Sequence, residues 1–223
     1  MSAKRLLMPI EADGRAFERF SAALGRCDDA EALIRPFARK LDPLLDGDPL
    51  ARRAPAAYEA VAPGVFFGYK PDGSLPPPIH IESAPPPPDV IEDGGHDRII
   101  RLERQPEAHP GWLTLEVEEE PALAGCFDRL EVLLRGRAAP RPLDFHVGII
   151  ANFADRTHRT IGPVPVRFEE GRSRALIEFD LASELAADAE AVTALKLAVF
   201  LPAGKMRCLE IFDLRCVGQF DDA

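Results

Sequence analysis

The chain has 223 residues, of which 46% are hydrophobic and 29% charged, with a formal net charge of -10. This is an ordinary globular balance, long enough to bury a sizeable core. The acidic excess runs through both halves of the sequence, so neither half offers the broad basic surface that nucleic acid or an anionic membrane requires.

The first ten residues, Met1 to Ile10, hold only a short apolar run before Glu11 and Asp13, too little for a secretory segment. No apolar run reaches the roughly 18 residues of a membrane span. The Arg-, Ala- and Pro-rich composition suits a GC-rich genome, and the expected address is a bacterial-type cytoplasm without membrane insertion. Cys27, Cys126, Cys208 and Cys216 lack CxxC spacing and read as reduced, buried or half-buried thiols.

Residues 13–45 carry helical spacing. Phe17, Phe20 and Leu24 share one face after Asp13, a fitting N-cap. Asp28 and Glu31 form a capping-box-like pair, and Leu33, Ile34, Phe37, Leu41, Leu44 and Leu45 form a second stripe. Pro36 predicts a kink or break in that second helix. The stripe is expected to pack on the domain that follows; docking to a partner or a second copy is the alternative. Residues 46–97 are turn-rich. Val65–Tyr69 reads as a short strand, and Ile79–Ile81 as a segment that could add to a sheet edge. Pro76–Pro78 and Pro85–Pro88 favour extended polyproline geometry.

From Arg98 onward the text becomes strands: Arg98–Leu102, Trp112–Glu118, Arg129–Arg135, Asp144–Phe153, Val164–Phe168, Arg174–Leu181 and two in Leu195–Gln219. In Trp112–Glu118 the polar face (Trp112, Thr114, Glu116, Glu118) alternates with Leu113, Leu115 and Val117. Asp144–Phe153 is apolar enough to suggest burial on both faces. Ala182–Val192 reads as a loop or helical turn. The final segment reads as a β-hairpin around Pro202–Lys205. Its last strand slips in parity, with Leu209 and Ile211 on one face and Leu214 and Cys216 on the other, which predicts a β-bulge at Phe212–Asp213.

Eight short, regularly spaced strands predict a mainly β fold: an eight-stranded antiparallel jelly-roll sandwich over 98–223. It would be preceded by an N-terminal helical arm over 1–50 and a Pro-rich extended connector with a short strand over 51–97. The strand texture of Trp-Leu-Thr-Leu-Glu-Val at 112–117 and Leu-Glu-Ile-Phe-Asp-Leu-Arg at 209–215 is similar to galactose-binding-like sandwiches, found in carbohydrate-binding modules. The resemblance covers about residues 96–220 and implies a recognition role, often toward sugars. It carries over no binding residue.

Familiar catalytic motifs do not occur. There is no GxSxG, P-loop, GxGxxG or HExxH, and the five histidines are scattered. No catalytic residue, metal site or cofactor is expected. Three polar clusters remain. Asn152, Asp155, Arg156, His158 and Arg159 crowd the stretch after the long strand, where paired donors and acceptors could hold sugar hydroxyls or a carboxylate; otherwise it is a solvated, salt-bridged turn. Trp112, with Tyr58 and Tyr69, could stack on a sugar face or simply pack at a strand end. Glu116, Glu118, Glu119 and Glu120 read as a solvated strand face, and Asp144 with His146 as a local pair. The ligand-binding candidates are therefore Asn152, Asp155, Arg156, His158, Arg159 and Trp112.

The function expected is a non-catalytic recognition domain, with a glycan or glycoconjugate first. The alternatives are a structural or protein-interaction role, with oligomerisation through the N-terminal arm, and an enzyme of unrecognised type.

Overall fold

Along most strands every second residue is apolar, so each strand has one face that must leave water. Stacking two sheets on those faces meets the demand, and the computed structural model does this. It describes residues 5–6, 41–70, 76–88, 97–108, 110–119, 128–185, 188 and 191–219. The strands are β1 (Arg5–Leu6), β2 (Ala60–Ala62), β3 (Val65–Tyr69), β4 (Ile79–Ala84), β5 (Ile99–Arg104), β6 (Leu113–Glu119), β7 (Arg129–Ala139), β8 (Leu143–Phe153), β9 (His158–Phe168), β10 (Ser173–Asp180), β11 (Val192–Phe200) and β12 (Cys208–Gln219). Short helices α1 (Asp42–Leu45) and α2 (Leu181–Leu185) complete the described elements.

The first sheet has the order β1-β10-β7-β12-β5-β4 and the second β2-β3-β6-β11-β8-β9, six strands each, with antiparallel pairing throughout. The eight strands expected after Arg98 all occur. Of the connector expected over 51–97, the short strand at Val65–Tyr69 and the sheet-edge segment at Ile79–Ile81 both occur, and the correction is that the segment carries three strands and is part of the sandwich. β2, β3 and β4 all pair within the sheets: β3 against β6, and β4 against β5 at an edge. The buried parities of Val65, Phe67, Ile79 and Ile81 explain this, because each side chain joins the common core.

The hairpin reading of Leu195–Gln219 is also corrected. β11 lies in the second sheet and β12 in the first, so residues 201–207 form an arch between sheets. Both strands face the same core, and the connection needs only to cross the roughly 10 Å between stacked sheets. The parity slip holds its place: β12 shifts register against β7 between Ile211 and Asp213. Leu209, Ile211, Leu214 and Cys216 thereby all reach the core, while Phe212 joins Ala84 and Ile99 in a separate apolar cluster.

β8 is buried on both faces only around Val147–Ile149; Asp144 and His146 are exposed. Within Ala182–Val192 the chain makes one helical turn, α2, begun by Asp180, whose Oδ1 accepts from the Ser183 N–H at 2.9 Å. Leu41, Leu44 and Leu45 of the apolar stripe insert into the core. Residues 7–40, with Leu33, Ile34 and Phe37 and the proposed oligomer contact, lie outside the described residues, and Arg5–Leu6, near the start of the expected helical arm, is instead a strand paired with β10. None of the described helices is long and apolar enough to cross a membrane.

The outward face of the first sheet carries a charge ladder over four strands. Arg101 donates to Glu82 (2.9 Å) and Glu210 (3.0 Å), and Arg137 donates to the other oxygen of Glu210. Glu210 is only 4% exposed although it points away from the core. Removing it leaves two adjacent guanidinia without their shared anion. Glu210→Ala should therefore cost about 3 kcal/mol, whereas the more exposed Glu82→Ala should cost under about 1 kcal/mol. Urea denaturation of the two variants tests the difference.

Candidate functional site

Among the described residues, two large hydrophobic side chains stand in solvent, Tyr58 (53% exposed) and Trp112 (43%). They are neighbours, with ring centroids 6.4 Å apart and planes inclined by 52°. Tyr58 also meets Phe66, at 5.8 Å. The three rings sit on the outward face of the second sheet, on and beside β3 and β6.

Local chemistry fixes each ring. Tyr58 is the third residue of the turn Ala56–Glu59, closed by the Glu59 N–H donating to the Ala56 carbonyl at 3.0 Å. Its φ is 60°, a left-handed conformation usually left to glycine or asparagine and costly for a bulky side chain. The turn is pinned from three sides. The Tyr58 N–H donates to the Phe67 carbonyl, Arg53 donates to Glu59 (2.9 Å) and to the Ala60 carbonyl (2.8 Å), and Glu59 accepts from the Ala56 N–H. Trp112 precedes β6, and its ring lies over Gly68 of β3. A β-carbon at Gly68 would collide with the Glu116 carboxylate, Thr114 Oγ1 (2.6 Å) and Trp112 Cζ3 (2.9 Å).

Beneath the rings the polar face of β6 departs from the solvated face expected of its glutamates. Thr114 and Glu116 are 3% and 4% exposed. Thr114 Oγ1 donates to Glu116 Oε1 at 2.7 Å, and Lys196 Nζ of β11 lies 3.2 Å from Glu116 Oε2. Register places Lys196 opposite Glu118, so it reaches Glu116 diagonally, while Glu118 Oε2 stays 3.6 Å from its ammonium. The ammonium also lies 4.6 Å from the Phe66 ring centroid and 5.9 Å from that of Tyr58, within cation–π range. Burial, followed by the Glu116 charge, raises the Tyr58 phenol above its ordinary value. Its hydroxyl is therefore a neutral donor and acceptor at physiological pH.

The sequence brought Tyr58, Tyr69 and Trp112 together as one aromatic cluster. The first and last do meet. Tyr69 is buried, with its hydroxyl donating to the Pro55 carbonyl at 3.0 Å. Phe66, Gly68 and Lys196 were missed. Lys196 had a signal, as the one charge in the run Leu195–Phe200, but its partner becomes visible only once β11 is paired with β6.

The other ligand candidates lie elsewhere. Phe200 pairs with both Thr114 and His146, so Trp112 stands near the His146 end of β8. Asn152 is six residues further along that strand, about 20 Å away at the strand rise. The stretch 153–158 is a tight β8–β9 turn. Asp155 accepts from the Thr157 N–H (2.9 Å) and hydroxyl (2.6 Å), bonds that lower its carboxyl pKa. Arg159 donates to the Glu184 carbonyl (2.7 Å) and to Asp188 (2.8 Å), and it stacks on Phe153. Asn152 and His158 form the last strand pair before the turn, and the Asn152 carbonyl accepts from Thr193. Arg156 takes φ 68° in the turn, its N–H donating to the Phe153 carbonyl at 3.0 Å. Most polar groups here serve the hairpin. Asp144 meets Arg167 on the surface (3.4 Å), not His146. Among the described residues no group of three or more His, Cys, Asp or Glu is placed to hold a metal.

Neither family models nor curated protein sequences give a match to this chain. Its structure is similar to those of carbohydrate-binding modules. A CBM4 structure matches with TM-score 0.49 and 10% identity over 79% of this chain and 98% of that one. The CBM22-1 xylan-binding domain of Paenibacillus barcinonensis Xyn10C matches with TM-score 0.43 and 7% identity over 79% and 98%. The family 11 module of Clostridium thermocellum, in complex with a β-1,3-1,4-mixed-linked tetrasaccharide, matches with TM-score 0.42 and 8% identity over 78% and 99%.

Two outcomes follow from this geometry. Gly68→Ala should destabilise the protein by about 1–3 kcal/mol and shift the emission of the only tryptophan, which a urea melt followed by fluorescence would read. The chain's two tyrosines are both raised, Tyr69 by burial and then by Glu59. Absorbance titration at alkaline pH should therefore lag free tyrosine. Because the unfolded chain would release these protons first, stability should fall as pH rises above the ordinary tyrosine value of 10.0.

Proposed function

We propose that this domain is a non-catalytic recognition module that binds a glycan on the outward face of the second sheet. The observation that carries the reading is the exposed Tyr58–Trp112 pair, its tyrosine held in a strained but well-pinned turn, above a buried Glu116–Lys196 ion pair. A sugar ring presents a C–H face and a rim of hydroxyls. Two inclined aromatic faces suit the first, and the Tyr58 hydroxyl, the Trp112 indole N–H and the Glu118 carboxylate suit the second. Backbone strain that the surrounding bonds hold in place is also more common at ligand sites than on idle surfaces. Rigid rings lose little conformational entropy on binding, so a small patch can still discriminate.

The test is a glycan array followed by calorimetry with the best oligosaccharide. Trp112→Ala and Tyr58→Ala should each weaken binding tenfold or more with the fold intact by circular dichroism, while Arg156→Ala leaves it unchanged. Binding that survives both aromatic substitutions, or absence of binding to every glycan tried, would overturn the reading. A protein partner recovered from lysate that releases on Trp112→Ala would favour the interaction role instead.

A further inference from the structure

The connections β5–β6, β7–β8 and β11–β12 all cross from one sheet to the other at the same end of the sandwich. The last two, with the end of β5, border an open-sided cavity of about 460 Å³. This volume is within the range of small-molecule sites. Met206 and Leu143, both buried, form part of its wall with Ala139, Pro140 and Pro142. Four cationic side chains also line it, Arg104, Arg141, Lys205 and Arg207, and no carboxylate does.

This concentration runs against the character of the chain, whose net charge is -10. Many cations elsewhere meet carboxylates, as Arg52 does with Glu103, Arg101 and Arg137 with Glu210 and Arg159 with Asp188, and the described cations that do not, Lys70, Arg98 and Arg156, are scattered along the chain. Arg141, Lys205 and Arg207, by contrast, make no ion pair with any described residue. Gathered like charges repel one another, and an arriving anion relieves that repulsion.

The wall is also built rather than merely crowded. The Arg104 guanidinium donates to the carbonyls of Gly204 (3.4 Å) and Ala108 (3.3 Å), and its backbone N–H donates to the Arg207 carbonyl at 3.0 Å. The Lys205 and Met206 N–H groups both donate to the Pro202 carbonyl, which closes the arch that carries Lys205 and Arg207. Cys208 lines the cavity too. Burial, with help from Glu210 and Glu103, pushes its thiol up to about 11, so it stays neutral at physiological pH and does not offset the cations.

We propose that this cavity binds a small organic anion. Its carboxylate, sulfate or phosphate group would sit among Arg141, Lys205 and Arg207, and its body would lie against Met206 and Leu143. The site is separate from the Tyr58–Trp112 patch and does not depend on the glycan reading.

Calorimetry of the full chain with glucuronate, glucose 6-phosphate, inorganic phosphate and neutral glucose tests it. One or both organic anions should bind saturably and at least tenfold more tightly than inorganic phosphate, glucose should not bind, and added salt should weaken the interaction. The double variant Arg141→Ala/Arg207→Ala, at two exposed positions, should lose binding tenfold or more with an unchanged circular dichroism spectrum, whereas Trp112→Ala should keep it. Failure of every anion to bind, equal binding of inorganic phosphate, or undiminished binding by the double variant would each overturn the proposal.

Discussion

β12 lies between β7 and β5 in the middle of the first sheet, so its register is imposed from both edges. A strand alternates strictly, and twelve residues of alternation would bring Leu209 and Ile211 inward while sending Leu214 and Cys216 out. The additional residue between Ile211 and Asp213 removes that conflict. It also settles what happens outside the core. Before the shift Glu210 points outward between two arginines; after it Asp213 does, beside Arg135 and Arg215. Phe212, the residue in excess, packs with Ala84 of β4 and Ile99 of β5. One irregularity thus aligns the core, the charge ladder and the attachment of the edge strand.

The same periodicity explains what the sequence revealed and what it hid. Alternation says which face of a strand is apolar, so the strands after Arg98 and the slip at Phe212 were legible. It does not say which sheet a strand joins. The two runs in Leu195–Gln219 look like a hairpin because each has one apolar face and a Pro/Gly turn lies between them, and arches between sheets satisfy the same pattern. Nor does polar parity guarantee water. Glu116 and Glu210 sit where a lone strand reads as solvated, but their neighbours are long cationic and aromatic side chains that close over them. Those partners come from strands 80 and 73 residues away in sequence, and only pairing brings them near.

The candidate sites divide along a similar line. The stretch Asn152–Arg159 drew notice through composition, since a dense set of donors and acceptors looks like a binding loop. A four-residue excursion between two long strands leaves little room, and the turn consumes Asp155 and Thr157 while Glu184 of α2 and Asp188 take Arg159. Trp112 and Tyr58 were visible as scarce aromatics in the sequence. Their contact was not visible, because it depends on the left-handed turn at Tyr58 and on the missing side chain at Gly68.

The sandwich core is filled by strand side chains, and the outward face of the first sheet is tied up by its ion pairs. The two proposed binding surfaces lie instead on the second sheet's outer face and at the arches. The residues after β5 connect the two places directly. Arg104 begins that connection at the cationic cavity, and Trp112 ends it on the aromatic patch. The Leu201 N–H donates to the Leu113 carbonyl at 2.8 Å, which fixes the start of the Lys205–Arg207 arch to the residue beside Trp112. The two surfaces differ in chemistry, one of neutral rings over an internally paired charge and the other of clustered cations against an apolar wall. They share a support, since both are carried by connections whose ends are anchored in the paired strands of the two sheets. A substitution that loosens the Leu113–Leu201 contact would accordingly disturb both at once, whereas changes at Trp112 or at Arg141 act on one surface and leave the other in place.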